Sequence, residues 1–505
     1  MSRLFIASII TLSGLMITST HAENLKQPTS LTPATFDYQS MQLQAQPGSN
    51  SQTVVQPVSF GAACGCQTPA ACSCPAPAPV CQPACQQSCG GSCGGGGGCG
   101  LGGGGLGGCL GGGGTSPLSC LGLGGVGGVG GVGGVGGIGI GSFVPGLPIA
   151  IQLLQSVAAG NCTCEPWTLS SHLCGAREPS ISFGGWFQVG YHTESNDLFN
   201  DRPDELNLHQ GWLYAEKAAT SQSPIGFRAD LIYGIDGADT QAFGNNPGVW
   251  DFQNGFDHGA YSWAIPQLYG EVQLGELNVK LGHFYTLIGY EVVTAPDNFF
   301  YSHAITMYNS EPFTHTGVIA SRPLGDNVTV YGGWTAGWDT GFDQFGDGSS
   351  WLGGASVALG ENASFTYMST AGDFGARGDQ AYSHSIVLDT ALTDNLNYVF
   401  QSDLLRVDGT GEDNVGINQY LLYNMHECIG LGARMEWWKG DVLTGYAPHG
   451  GVLPAAGSLS YYAATFGANI KPSANLTIRP EVRVDWSPAA DYDEIYFGAD
   501  GIFTF

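Results

Sequence analysis

Arg479, Glu481, Arg483 and Asp485 occupy every second position of the segment Leu476 to Trp486, and the pairs Arg228/Asp230 and Arg434/Glu436 repeat that spacing. On an extended chain, residues two apart share a face, so these charges stand as ladders on one surface. Opposite signs at that spacing suit cross-strand pairing and an electrostatic bias on a wet surface, not proton transfer. No other grouping of reactive side chains completes a reaction centre. His283, His303 and His315 are close in sequence without ligand spacing. The run Gly122 to Gly127 fits a dinucleotide fingerprint and Gly90 to Gly94 a nucleophile elbow, but each motif needs a strand before it and a helix after it. Where 31 of the 52 residues from Gly90 to Gly141 are glycine, such matches arise by chance. No catalytic residue, metal ligand or cofactor is expected.

Eleven cysteines lie between Cys64 and Cys120, irregularly spaced and with no histidine among them. In an exported chain that pattern favours disulfides, within or between molecules, over a zinc site. Two acid clusters, Asp236, Asp239, Asp251 and Asp257 and then Asp339, Asp343 and Asp347, lack a twelve-residue calcium loop and read as solvated acidic loops.

The elements that must carry the ladders are strands. Ile181 to Tyr191, Ile225 to Tyr233 and Leu476 to Trp486 all alternate apolar and polar residues. About sixteen such segments follow Pro179. Their connections alternate between short ones (such as Gly275-Glu276, Thr393 to Asn395 and His426 to Cys428) and long ones (such as Glu194 to Leu206, Ile235 to Ala264 and Ile288 to Phe313). A soluble β-sandwich or propeller also alternates. Three features select a closed antiparallel up-and-down transmembrane β-barrel instead: the even strand count with alternating loop lengths, the terminal Phe505, and a charged fraction of 11%, against ~25% in ordinary soluble domains. Each unpaired backbone group in hydrocarbon costs several kcal/mol, so a sheet there has no edge. The apolar face is expected to meet outer-membrane lipid. A lipid-facing charge would cost ~2–4 kcal/mol at the midplane, so Arg228, Asp230, Arg434, Glu436, Arg479, Glu481, Arg483 and Asp485 are expected to line the interior.

Three regions follow. Residues 1–22 have the charged, apolar and small-residue parts of a signal peptide. Residues 23–178, low in complexity and rich in Gln, Cys and Gly, are expected to be disordered. Residues 179–505 are the expected barrel. A net charge of -27 argues against nucleic acid as a partner.

The stretch from Gly282-His-Phe-Tyr-Thr-Leu-Ile-Gly289 through Tyr301-Ser-His303 to Met307 resembles a signature of the outer-membrane β-barrel porins described as OmpL-like, and the likeness extends over about residues 180–505. The resemblance implies a barrel in the outer membrane and passive passage of small hydrophilic solutes. An alternating last strand ending in Phe505 is what such barrels present to their assembly machinery. In general porins the third long loop often enters the lumen. Ile288 to Phe313 is expected to do so, with Glu291, Asp297 and Glu311 at a constriction; an ordinary surface loop packed by Phe299, Phe300 and Tyr301 is the other reading. The 38 acids and 12 bases after Pro179 predict a cation-leaning lumen. Two further functions stay open: a structural envelope protein cross-linked or anchored through its cysteines, with disulfide-linked self-association, and a barrel enzyme, for which no motif positions a nucleophile.

Overall fold

Alternation of apolar and polar residues produces seventeen strand segments. The first nine are β1 (Ser182–His192), β2 (Asn207–Lys217), β3 (Ile225–Gly234), β4 (Ser262–Ala264), β5 (Leu268–Leu274), β6 (Leu277–Tyr285), β7 (Thr314–Pro323), β8 (Val328–Thr335) and β9 (Ser349–Ala358). They continue as β10 (Ala363–Asp373), β11 (Ala381–Thr393), β12 (Leu396–Val407), β13 (Glu412–His426), β14 (Ile429–Asp441), β15 (Ser458–Ser473), β16 (Leu476–Ser487) and β17 (Tyr492–Thr504). The computed structural model describes residues 147–174, 180–196, 199–342, 347–441 and 458–505. The expected signal peptide and the cysteine- and glycine-rich stretch up to residue 146 lie outside the described residues.

Apart from β4 and β5, each strand pairs antiparallel with its sequence neighbour, and β1 pairs with both β2 and β17, Trp186 standing opposite Trp212 on one side and Thr504 on the other. The sheet therefore closes and leaves no edge to lipid. β4 and β5 both pair with β3, through Ile232–Ala264 and Ile225–Val272. They are two halves of one stave, so the barrel has sixteen. The break falls at Pro266, which has no N–H to give the ladder; beside it the Asp230 N–H reaches the Gln267 carbonyl at 2.9 Å.

Burial along the staves is inverted relative to a soluble protein. Phe187 is half exposed while its neighbours Trp186 and Gln188 are buried, and Val482 is exposed between buried Glu481 and Arg483. Leu213, Leu281, Phe466 and Ile495 join that outer apolar surface. The interior is filled with polar and aromatic side chains.

At the short-turn end, a strap formed by residues 147–174 crosses the turns. Helix α1 (Leu147–Ala158) packs against β15. Cys162 is disulfide-bonded to Cys428 in the β13–β14 turn. The backbone N–H and C=O of Trp167 both bond the Asn475 side chain, at 2.8 and 2.7 Å. Among the described residues this one disulfide is within the chain; the expected pairings of Cys64 to Cys120 fall outside them.

Candidate functional site

The connection 286–313 begins at β6 and ends at β7, yet its partners lie around the rest of the ring. Gln210 on β2 donates to the Val293 carbonyl at 2.8 Å and accepts the Ala295 N–H at 3.1 Å. Tyr301 reaches His209 on β2 and His192 on β1, at 2.6 and 3.2 Å. Helix α2 (Ile305–Ser310) lies against β12, β13 and β14. β14 is halfway round the ring from β6, so a segment touching all these strands runs through the bore. Irregular backbone at membrane depth must be satisfied by protein or water, and the wall supplies the partners.

The charge ladders are that supply. Arg434 donates to Glu291 at 2.7 Å, to the Ser302 carbonyl at 2.7 Å and to Glu436 at 2.6 Å. Arg479 donates to the carbonyls of Ala295 and Asn298 at 2.9 and 2.7 Å while pairing with Asp500. Arg483 donates to the His303 carbonyl at 2.6 Å and to Asp485 at 2.7 Å. Carboxylates do the converse: Glu481 accepts the N–H groups of Tyr301 and Ser302 at 2.9 and 3.1 Å, and Glu436 that of Ile305 at 2.7 Å. Arg434, Glu436, Arg479, Glu481, Arg483 and Asp485 are all buried beneath the crossing segment and not open to water. Arg228 and Asp230 form a separate group with Glu216, with Asp230 also accepting from Trp212 and Gln267.

Of the three loop acids, Glu291 is held by Arg434, by Tyr420 at 3.1 Å and by the Ala304 N–H at 2.7 Å. Glu311 receives Gln401 of β12 at 2.6 Å. Asp297 stays half-buried and bonds Thr294 within the loop. The aromatic residues that suggested an outer surface loop pack inward on glycine: a Cβ on Gly432 would lie 2.3 Å from the Phe299 ring, and one on Gly190 2.5 Å from the Tyr301 hydroxyl. Gln210, Gln401, Tyr420 and the Arg377–Glu412 pair are contributors that sequence reasoning missed. Gln401/Asp403 and Glu412/Asn414 show the same two-residue spacing, but as ladders of one charge sign or none they carried no pairing signal.

Three acids of the long loops are buried instead of solvated, while Asp347 is exposed as its sequence suggested. Asp236 is buried against His209 and Gln210, at 2.8 and 3.0 Å. Asp251 accepts the N–H groups of Ala242 and Ile265, at 3.0 and 2.7 Å; burial raises its carboxyl to about 6 against those bonds. Asp339 accepts the N–H groups of Phe313 and Thr314 at 2.7 and 2.9 Å, and burial raises it to about 7. Asp251 and Asp339 are backbone acceptors that shape their loops, whereas Asp236 is bonded by side chains. Asp343 lies outside the described residues. His283 and His315 bond Thr316 and Thr286, apart from one another's partners.

A closed sixteen-stave barrel, greasy outside and crossed inside by its third long connection, defines a protein of the outer-membrane channel class. The sequence agrees: residues 180–505 match the family described as beta-barrel porin-2, OmpL-like, and the chain belongs to it. That family places the barrel in the outer membrane, in contact with lipid. No curated protein matches the chain. Among solved structures, it is similar to an anion-selective porin from Comamonas acidovorans at 10% identity, with a TM-score of 0.46 over 65% of this chain and 99% of that one. It is also similar to the channel DcaP of Acinetobacter baumannii at 12% identity, with a TM-score of 0.44 over 64% and 97% of the two chains. A third is Salmonella typhi OmpF in complex with daunomycin, at 12% identity and a TM-score of 0.43 over the same shares. All three are distant, and nothing about this chain's selectivity follows from them.

Proposed function

We propose that the barrel lets small hydrophilic solutes diffuse passively across the outer membrane, with the segment 286–313 as its constriction. The observation that carries this reading is the segment's course through the bore, bound on several sides by Gln210, Arg434, Arg479, Glu481 and Arg483. Passage through such a bore needs no bond to be made or broken; the family and the fold speak for a channel rather than an enzyme. In this reading the ladder residues, with Arg228 and Asp230, form the wall that fixes the width of the path, and Glu291, Asp297 and Glu311 belong to the narrow part. The path favours cations, because the arginines of the wall are already neutralised by carboxylates and the region after Pro179 has 38 acids to 12 bases. The last strand, ending in Phe505, is the segment that the barrel assembly machinery would take.

Planar-bilayer recording tests the proposal. The folded protein should conduct, and its reversal potential in a salt gradient should have the sign of cation preference. Deleting residues 288–313 should raise single-channel conductance. Absence of conductance in both proteins would reject the channel, an unchanged value would reject the constriction, and an anion-type reversal potential would reject the bias.

A further inference from the structure

The inner face of β10, β11 and β12 is built differently from the ladder wall. Its buried inward polar residues include Thr366, Thr370, Ser383, Ser385, Gln401 and Asp403, with no lysine or arginine among them. Helix α2 delivers Glu311, also buried, to the same place. Gln401 Nε2 donates to Glu311 Oε1 at 2.6 Å and to Asp403 Oδ2 at 2.7 Å, so two carboxylates converge on one amide. The pose of Glu311 is built in: Gly289, at φ 101°, leaves open the space where a Cβ would come within 1.9 Å of Glu311 Oε2.

What surrounds the pair is oxygen without a partner. Asp403 Oδ1 is buried with no hydrogen bond, as are the hydroxyls of Ser385, Ser383 and Thr370. Ser385 stands directly opposite Asp403 in the ladder, and Thr370 opposite Ser383. The arginines of the bore are committed elsewhere: Arg377 to Glu412, Arg434 to Glu291 and Glu436, Arg479 to Asp500 and Arg483 to Asp485. Two buried carboxylates side by side need a positive charge or a proton between them.

We propose that Glu311 and Asp403, with the Ser385 hydroxyl, bind a calcium-class divalent cation in the bore wall. Two carboxylates match its charge, and an all-oxygen set suits a hard ion. Among the described residues no three His, Cys, Asp or Glu side chains converge to hold a metal ion, so hydroxyl oxygens and water complete the shell. The ion pins the end of α2 to β12, beside the bond from Arg377 Nη2 to the Asn309 carbonyl at 2.8 Å. Binding is read without conductance, so the site and the channel reading can fail independently.

The test is calorimetric titration of the detergent-folded, chelator-stripped protein with CaCl2. One ion per chain should bind and raise the thermal midpoint. Glu311→Gln and Asp403→Asn should each weaken binding by more than about tenfold, since even outer partners of a metal site cost that much, while the folded band on a gel without boiling is retained. Should either variant not fold, Ser385→Ala carries the test on the same criterion. No binding, or binding that these variants leave unchanged, would overturn the site. A protonated-carboxyl infrared band that Asp403→Asn removes and CaCl2 does not would assign the pair to a shared proton and overturn it equally.

Discussion

Two arcs of the same inner wall hold the crossing segment by different physics. On β14, β16 and β17, each buried charge meets an opposite charge or a backbone group of the segment, as Arg434, Arg479 and Glu481 illustrate. On β10 to β12, buried oxygens converge with no cationic side chain among them. Both arcs come from the same alternation of polar and apolar residues. The difference is whether the charges of a ladder carry both signs: a mixed ladder neutralises itself and spends its remaining donors on the loop, whereas a purely acidic one needs something from outside the wall.

The largest effect should come from breaking the first arc. Arg434→Met leaves Glu291 buried without its arginine and Glu436 with Arg483 alone, at 3.4 Å; breaking a buried pair costs about 3–5 kcal/mol. It should appear as a fall in the denaturant midpoint of the folded gel band; a small change would mean that the arginine grip does not hold the segment. Next in size is steric. Gly432→Ala forces a methyl group against Phe299 and should cost about 1–3 kcal/mol, whereas Gly501→Ala, with nothing within 4 Å, should be nearly neutral in the same assay.

A smaller effect lies where the segment rejoins the wall. The Asp339 carboxyl titrates at about 7 in the folded barrel, against about 3.9 in an unfolded chain. The folded state therefore holds the extra proton between those values, and stability falls as pH rises from about 4 to 7. Asp339→Asn should flatten that part of the midpoint-against-pH curve; an unaltered slope would assign it to other groups. The smallest effect is expected on the second arc. In chelator, Asp403→Asn removes a buried charge that has no cation, and the midpoint should stay level or rise. A loss like that of Arg434→Met would erase the contrast between the arcs.

Much of the barrel is legible in the sequence. The ladder Arg479, Glu481, Arg483 and Asp485 could be assigned to one face because period two is a property of a single strand. The alternation of loop lengths gave the order of the staves, and β13–β14 turns at His426 to Cys428 as the spacing predicts. The partners of the crossing segment were not legible. Tyr301 meets Glu481 across 180 positions of sequence, and Gln210 meets Ala295 across 85; no local pattern encodes which staves face each other across a bore. For the same reason Asp236, Asp251 and Asp339 resembled solvated acids: their partners, side chains for the first and backbone N–H groups for the other two, come from other segments.

The sequence by itself determined the strands, their outward and inward faces and the closed antiparallel ring, because those follow from short-range periodicity and from the cost of unpaired backbone in lipid. Only the tertiary structure decided that the ladder would be covered instead of wet, that Cys428 would tie to Cys162, and that Glu311 would come to rest beside Asp403. Each of these depends on where a connection goes once the ring has closed, and closure sets distances that no stretch of neighbouring residues contains.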